Sequence, residues 1–199
     1  SRDPEVVARA RAYANLGGGT KTGLLGPNLR MGEMHGALAR VRLKRVDAEN
    51  VQRRKNAQVL REAIADLPGL RAVPGGRTEG VDETYYNFTL DYDADVLGVS
   101  REKFVEAVQA EGVPLKVNGY RALNLAPVFV NQDVWPYKLA ENQVILEGRE
   151  LYGEGVCPVA EAFTQEGNLE LKIHPPCGEG EMGDAAEAIR KVIAQAGRL

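Results

Sequence analysis

Cysteine is scarce in this chain, since only Cys157 and Cys177 occur among its 199 residues. Two thiols are too few for a disulfide framework, so a reducing cytoplasm is the expected compartment. No apolar run approaches the roughly 20 residues that span a bilayer, and the charged Ser1–Glu5 start is not typical of a signal peptide. The net charge of −3 gives no general attraction to nucleic acid or to anionic membranes.

Side chains that commonly act as nucleophiles, general bases or metal ligands are also few. Histidine occurs twice, at His35 and His174, and no serine lies in a Gly-x-Ser-x-Gly setting. Cys157, His174 and Cys177 could be imagined as zinc ligands, but structural zinc normally uses two closely spaced pairs and a second pair is missing. We therefore predict neither a nucleophile–base pair nor a metal site in this chain.

The glycine-rich segment from Gly17 to Gly23 is close to a phosphate-loop pattern. Thr20 separates Gly19 from Lys21, whereas the motif needs glycine, lysine and a hydroxyl residue in succession. The segment also follows a helical pattern instead of a strand. A linker is therefore the favoured interpretation of this stretch.

The chain is organised around the turn Gly26–Met31 and the helical pattern that follows it. No proline interrupts this pattern before Pro68, so we predict one long helix from Met31 to Leu67, about 55 Å in length at 1.5 Å per residue. Such a helix exceeds the width of a small domain and is expected to pack against something outside this chain's own core. Its middle is basic, but no aromatic residues are interleaved, which favours an interface or solvated face over a nucleic-acid stripe. Its apolar stripe comprises Met34, Leu38, Val41, Ala57, Leu60, Ile64 and Leu67.

Strand and helix patterns alternate through the rest of the chain. A helix is predicted from Asp3-Pro4 to Gly17, and another lies between Ser100 and Gly112. Strands are predicted at 85–92, 113–117 and 169–173, and further helices at 138–152, from Pro158, and at 181–196. The predicted fold class is α/β, with an α+β small domain in which a small sheet is covered by helices and preceded by the long linking helix.

The Gly26–Met31 turn carries two side chains that suit an anion. Asn28 offers two donors and one acceptor, and Arg30 offers a charged fork that matches phosphate. The turn lies just before a helix N-terminus, where free N–H groups and the helix dipole favour negative charge. From spacing alone a phosphate contact and a helix-capping turn both remain open, and the capping turn is the simpler interpretation.

The chain resembles the DegT/DnrJ/EryC1/StrS family of fold-type I aminotransferases, which depend on pyridoxal 5'-phosphate (PLP) and act on sugars and aminocyclitols. The resemblance covers essentially the whole chain. Its landmarks include Gly26-x-Asn28-x-Arg30-Met31-x-Glu33-Met34-x-Gly36-Ala37, Leu43-Lys44-Arg45-Val46-Asp47, Tyr120-Arg121-Ala122-Leu123 and Cys157-Pro158-Val159-Ala160-Glu161.

The resemblance implies three parts and a shared cofactor. Residues 1–30 would be the tail of the large PLP domain, 31–67 a linking and interface helix, and 68–199 the C-terminal small domain. In a homodimer, Asn28 would reach the cofactor phosphate of the partner subunit, with Arg30 near the same site. Tyr120 falls in the segment that borders the substrate. His35 replaces a common Gln of the family, and a substrate contact and a surface position both remain open for it.

The family's catalytic groups belong to an N-terminal large domain that this chain lacks, including the lysine that forms the imine with the cofactor. We therefore assign no catalytic residue and expect the isolated chain to be inactive. The expected function is that of the C-terminal part of an aminotransferase that moves an amino group from Glu or Gln to a keto-sugar or keto-cyclitol. The alternative is a natural truncated homologue that acts as a dimerisation or regulatory partner, or one half of a split enzyme.

Overall fold

The computed structural model describes residues 1–16, 26–74, 82–131 and 152–199. The chain divides into two compact units, residues 1–47 and 48–199. The glycine segment from 17 to 23 lies outside the described residues, and so does the predicted helix at 138–152 apart from its last residue.

The first unit begins with helix α1, Pro4–Ala14. The Asp3 side chain caps this helix, because its Oδ1 accepts hydrogen bonds from the backbone N–H groups of Glu5 at 2.9 Å and Val6 at 3.4 Å. The predicted start of this helix, with Asp3 as the cap and Pro4 in the first turn, is therefore confirmed.

A short backbone pairing joins the end of α1 to the Gly26–Met31 turn. The N–H of Leu16 donates to the carbonyl oxygen of Pro27 at 3.1 Å, and the N–H of Leu29 donates to that of Ala14 at 2.8 Å. These two bonds hold the turn against the helix end, and helix α2, Glu33–Leu43, follows directly.

The prediction of a single helix from Met31 to Leu67 is wrong. The structure has two helices here, α2 and then α3, Val46–Ala63, separated by a turn at Lys44 and Arg45. The N–H of Arg45 donates to the carbonyl oxygen of Arg42, three residues earlier, at 3.0 Å, where a continuous α-helix would bond four residues back. Cations at 40, 42, 44 and 45 include pairs three or four positions apart, and like charges at that spacing disfavour a helix.

A four-stranded antiparallel sheet organises the second unit. Its strands are β1 (Leu70–Ala72), β2 (Phe88–Tyr92), β3 (Lys116–Val117) and β4 (Asn168–Leu171). They lie in the order β1-β2-β4-β3, with Leu90 of β2 opposite Leu169 of β4.

Alternate residues of β2 are buried, and so are Leu169 and Leu171 of β4, so one face of the sheet forms the floor of the core. Three helices cover the core with their apolar faces, namely α3, α5 (Arg101–Ala110) and α8 (Glu179–Ala194). Further short α-helices are α4 (Ala94–Leu97), α6 (Pro127–Val130) and α7 (Pro158–Ala162). The buried hydrophobic set includes Ala57, Leu60, Ile64, Phe88, Leu90, Phe104, Val108, Leu169, Ile173, Met182 and Ile189.

The predicted fold class, a small sheet covered by helices, is confirmed. The strand predicted at 85–92 begins only at Phe88, because Tyr85 has φ +46° and so cannot continue an extended backbone. The strand predicted at 113–117 is reduced to its last two residues, and β1 was not predicted. The ends of α5 are as expected, since Ser100 Oγ accepts from the N–H of Lys103 at 3.4 Å and Gly112 has φ +91°.

No helix in the described part of the chain is both long and apolar enough to cross a membrane.

Candidate functional site

The structure brings Asn28 and Arg30 together in the turn before α2. Asn28 Oδ1 accepts one hydrogen bond from the backbone N–H of Arg30 at 3.3 Å and another from Arg30 Nε at 3.0 Å. The amide oxygen of Asn28 therefore orients the guanidinium group. Both side chains are exposed.

These contacts leave specific donors for a ligand. They use Asn28 Oδ1 and Arg30 Nε, so they engage neither the Asn28 Nδ2 hydrogens nor the outer nitrogens of the Arg30 fork. An amide donor and a guanidinium fork held side by side suit an anion with several oxygens, such as a phosphate monoester.

The N-terminus of α2 adds to this donor set. Gly32 is its N-cap and makes no side-chain hydrogen bond to the first-turn N–H groups. Those N–H groups and the positive end of the helix dipole favour an anion. His35 lies on the first turn of α2, beside Gly32, and is exposed.

Tyr120 belongs to the second unit. Its side chain is 79% exposed, and its backbone N–H donates to Asn118 Oδ1 at 3.0 Å. A 3₁₀ turn, Leu123–Leu125, follows it closely. The ring of Tyr120 is therefore accessible, and the bond to Asn118 fixes the backbone beside it.

A buried carboxylate holds the segment after Tyr120, and its role was not predicted from the sequence. Glu161 is 7% exposed, and its oxygens accept from Asn124 Nδ2 at 2.6 Å and from the backbone N–H groups of Gly155 and Cys157, each at 2.9 Å. These two N–H groups, with Asn124, hold the pKa of Glu161 below its usual range, against the effect of burial. The sequence did hold one indication of this role. Glu161 lies in the first turn of the helix that follows Cys157, and a carboxylate there can accept a hydrogen bond from the backbone N–H of the N-cap.

The three residues considered as zinc ligands have other partners or positions. His174 Nδ1 accepts from Arg53 Nε at 2.9 Å, and Cys157 is exposed at the start of α7. Among the residues that the structure describes, no three His, Cys, Asp or Glu side chains are grouped as a metal site.

The family follows from a sequence match that includes the turn, its helix and the Tyr120 segment. Residues 1–152 match the profile of the DegT/DnrJ/EryC1/StrS aminotransferase family. The chain belongs to this family. The members of the DegT/DnrJ/EryC1/StrS family are aminotransferases that depend on PLP.

Solved structures of aminotransferases share this fold. The chain is similar to DesV of S. venezuelae, solved in complex with a ketimine intermediate, with 26% identity and a TM-score of 0.70 over 99% of this chain and 46% of that one. An aminotransferase from Psychrobacter cryohalolentis is 25% identical with a TM-score of 0.62, over 88% of this chain and 42% of that one. The aminotransferase TlmJ from Streptoalloteichus hindustanus is 23% identical with a TM-score of 0.66, over 97% and 46%. The chain thus spans less than half the length of these solved relatives.

Proposed function

We propose that this chain is the C-terminal part of a PLP-dependent aminotransferase that moves an amino group from Glu or Gln to a keto-sugar or keto-cyclitol. The observation that carries the proposal is the Asn28–Arg30 pair before α2, within a sequence that matches the family over residues 1–152. When bound, PLP supplies an electrophilic carbonyl and an electron sink for amino transfer. This chain's own contribution is to bind and orient.

In this proposal Asn28 and Arg30 hold the cofactor phosphate of a partner subunit. Asn28 Nδ2 donates one neutral hydrogen bond, and the outer guanidinium nitrogens donate charged ones. The Asn28 Oδ1–Arg30 Nε bond fixes the direction of both groups before the phosphate arrives, which lowers the entropic cost of binding. The first-turn N–H groups of α2 add the positive end of a helix dipole.

Two further residues are assigned to the substrate side. Tyr120 would border the substrate with its exposed ring, and the Glu161–Asn124 contact would keep the following segment in place. His35 would offer an imidazole near the start of α2. The domain limits proposed with this function are 1–30, 31–67 and 68–199, with the middle part now two helices instead of one.

The phosphate contact is tested in the longer protein that includes this chain. Replacing Asn28 with Ala removes a hydrogen bond to a charged group, so PLP and pyridoxamine phosphate should bind about 10- to 100-fold more weakly. Asn28→Asp should weaken binding further, since a carboxylate would face the phosphate. The matched control is Gln58→Ala, an exposed residue of α3. Unchanged cofactor affinity in Asn28→Ala would exclude the phosphate role.

The isolated 199-residue chain is predicted to catalyse no amino transfer, because no group in it is assigned to imine formation. Amino transfer from Glu or Gln to a keto-sugar by the purified chain, with PLP added, would contradict this prediction.

An exposed apolar row on α2 favours a second candidate function, that of a natural dimerisation or regulatory partner of a complete aminotransferase subunit. Met34, Leu38 and Val41 follow one another at helical spacing and are 87%, 63% and 58% exposed. Co-purification of the chain with a full-length aminotransferase, abolished by Leu38→Glu and kept by Gln58→Glu, would support this role. Reading the coding DNA upstream of Ser1 separates the two functions. An in-frame large domain supports the enzyme part, and a start codon with its own ribosome site supports the partner.

A further inference from the structure

The turn after β4 is attached to α3 by buried side-chain contacts. Asn56 is fully buried, and its Nδ2 donates to the carbonyl oxygens of Ile173 at 3.0 Å and Cys177 at 2.9 Å. Both ends of the segment Ile173–Cys177, here called the β4 turn, are therefore bound to one amide on α3.

A second contact joins the middle of the β4 turn to the same helix. Arg53 Nε donates to His174 Nδ1 at 2.9 Å. The other guanidinium nitrogens bond within α3, with Nη1 donating to Asn50 Oδ1 at 2.7 Å and Nη2 lying 3.3 Å from Glu49 Oε2. Arg53 is thus fixed in direction by its own helix and offers its Nε–H to His174.

This contact defines the protonation state of the imidazole. Because a guanidinium Nε–H in a protein can only donate, His174 Nδ1 must carry a lone pair. The ring is therefore neutral with its proton on Nε2. The backbone carbonyl of Tyr86, in the segment before β2, also acts on the ring and favours its protonated form.

The charged groups around His174 come from α3 and β4. Arg53 and Glu49 face it from α3, and Lys172 faces it from the residue directly after β4, where the ammonium group also lies 4.0 Å from the centre of the Tyr86 ring. Burial, then Arg53, then Lys172 lower the pKa of His174, whereas the Tyr86 carbonyl and Glu49 oppose this shift.

We propose that His174 is a pH-sensitive latch, in which protonation of Nδ1 breaks the Arg53–His174 bond and loosens the β4 turn from α3. Protonation would place an N–H of His174 opposite the Nε–H of Arg53 at the present hydrogen-bond distance of 2.9 Å. The imidazolium and the guanidinium would also repel each other as like charges. Arg53 cannot lose its proton, so its bond to His174 is the one that is given up. Asn56 continues to hold the two ends of the turn, which confines the change to the middle of the segment. This inference is independent of the proposed enzymatic function.

The direction of the pH effect follows from the lowered pKa of His174. Its ordinary value is 6.5, so the unfolded chain takes up this proton at higher pH than the folded chain does. The stabilisation by neutral His174 is complete above pH 6.5 and is lost as pH falls through the lower pKa of the folded state. Several carboxylates also titrate at lower pH, so the contribution of His174 has to be isolated by substitution.

The first test is an NMR titration of the imidazole signals of the 199-residue chain. The chain has two histidines, so the His35→Asn variant leaves a single imidazole and assigns the His174 signals. Replacing Arg53 with Gln removes the nearby positive charge while keeping an amide donor. His174 should then titrate at clearly higher pH than in the unchanged chain, and Gln58→Ala should leave it unmoved. The same His174 midpoint in the unchanged chain and in Arg53→Gln would overturn the proposal.

The second test compares unfolding at several pH values for the variant His174→Asn. Asparagine keeps an acceptor near the position of Nδ1 but does not titrate. The urea midpoint of the unchanged chain and of His35→Asn should fall together as pH drops from about 7.5 to about 5.5, spanning the ordinary histidine value. The His174→Asn midpoint should fall less over the same range. Parallel curves for all three proteins would overturn the latch, and the NMR titration remains decisive if His174→Asn does not fold.

Discussion

Replacing Asn56 with Ala should cost the second unit a large share of its stability. Asn56 is fully buried on α3, and both hydrogens of Nδ2 are used by the carbonyl oxygens of Ile173 and Cys177. Its Oδ1 accepts from Gln52 Nε2 at 2.9 Å, so both polar atoms of the amide are satisfied. Ala would remove all three bonds and leave two carbonyl groups without their donor.

The magnitude follows from the burial of those carbonyl groups. A buried polar group left unpaired costs about 1–3 kcal/mol. Ile173 is fully buried, whereas Cys177 is half-buried and can regain a bond to water, so we expect a total of about 3 kcal/mol. For a unit of this size that corresponds to a fall in melting temperature of about 6–12 °C. Asn56→Asp should cost more, because a carboxylate cannot donate and would face both carbonyl oxygens.

The assay is urea unfolding at neutral pH with two matched variants on the same helix. Gln52→Ala removes only the bond to Asn56 Oδ1 and should cost about 1 kcal/mol. Gln58→Ala changes an exposed side chain and should stay within about 0.5 kcal/mol of the unchanged chain. If Asn56→Ala loses no more free energy of unfolding than Gln52→Ala, the two carbonyl bonds do not stabilise the unit as argued.

Three further substitutions test a core hydroxyl group, the turn at Gly69 and the buried carboxylate of Glu161. Tyr92→Phe should cost about 1 kcal/mol, because the buried hydroxyl donates to the carbonyl oxygen of Val99 at 2.7 Å. Burial raises the pKa of Tyr92 to about 12. The unchanged chain should therefore lose stability as pH rises above 10, and the Phe variant should lose less. Equal losses in urea titrations at alkaline pH would contradict this. Gly69→Ala should lower the free energy of unfolding by about 1–3 kcal/mol, because φ at Gly69 is +64° and a Cβ there would lie 2.7 Å from Leu97 Cγ. An unchanged melting temperature would show that the turn relaxes to accept the methyl group. Glu161→Gln should reduce the loss of stability at acid pH. Hydrogen bonds from the Gly155 and Cys157 N–H groups lower the pKa of Glu161, so the stabilisation it gives is lost as pH falls below 4.5. The same loss of stability in both proteins would show that the carboxylate charge is unimportant.

Features set by local chemistry were predictable from the sequence. Asp3 and Ser100 cap their helices, and Gly112 ends one with a positive φ, because each effect acts within a few residues. The Asn28–Arg30 pair was predicted as a candidate site for the same reason, since the two side chains are neighbours in a short turn. Their role toward a phosphate stays a prediction.

The break at Lys44 and Arg45 was missed because the residues on both sides of it show helical spacing and no proline lies between them. Features that depend on distant parts of the chain were not predictable either. Strand β1 has only three residues and is defined by its pairing with β2. Neither the Asn56–Ile173 bond nor the Glu161–Asn124 bond could be predicted, because the partners are 117 and 37 residues apart.

The turn at Lys44 and Arg45 also makes the chain modular. It offers two adjacent trypsin cleavage sites near the boundary between the units, and every buried hydrophobic residue of the described chain lies at Ala57 or later. Limited digestion should therefore release the N-terminal segment up to Arg45 and leave a protease-resistant core that begins near Val46. We therefore expect that the segment before Val46 can be replaced by that of a relative without unfolding the second unit.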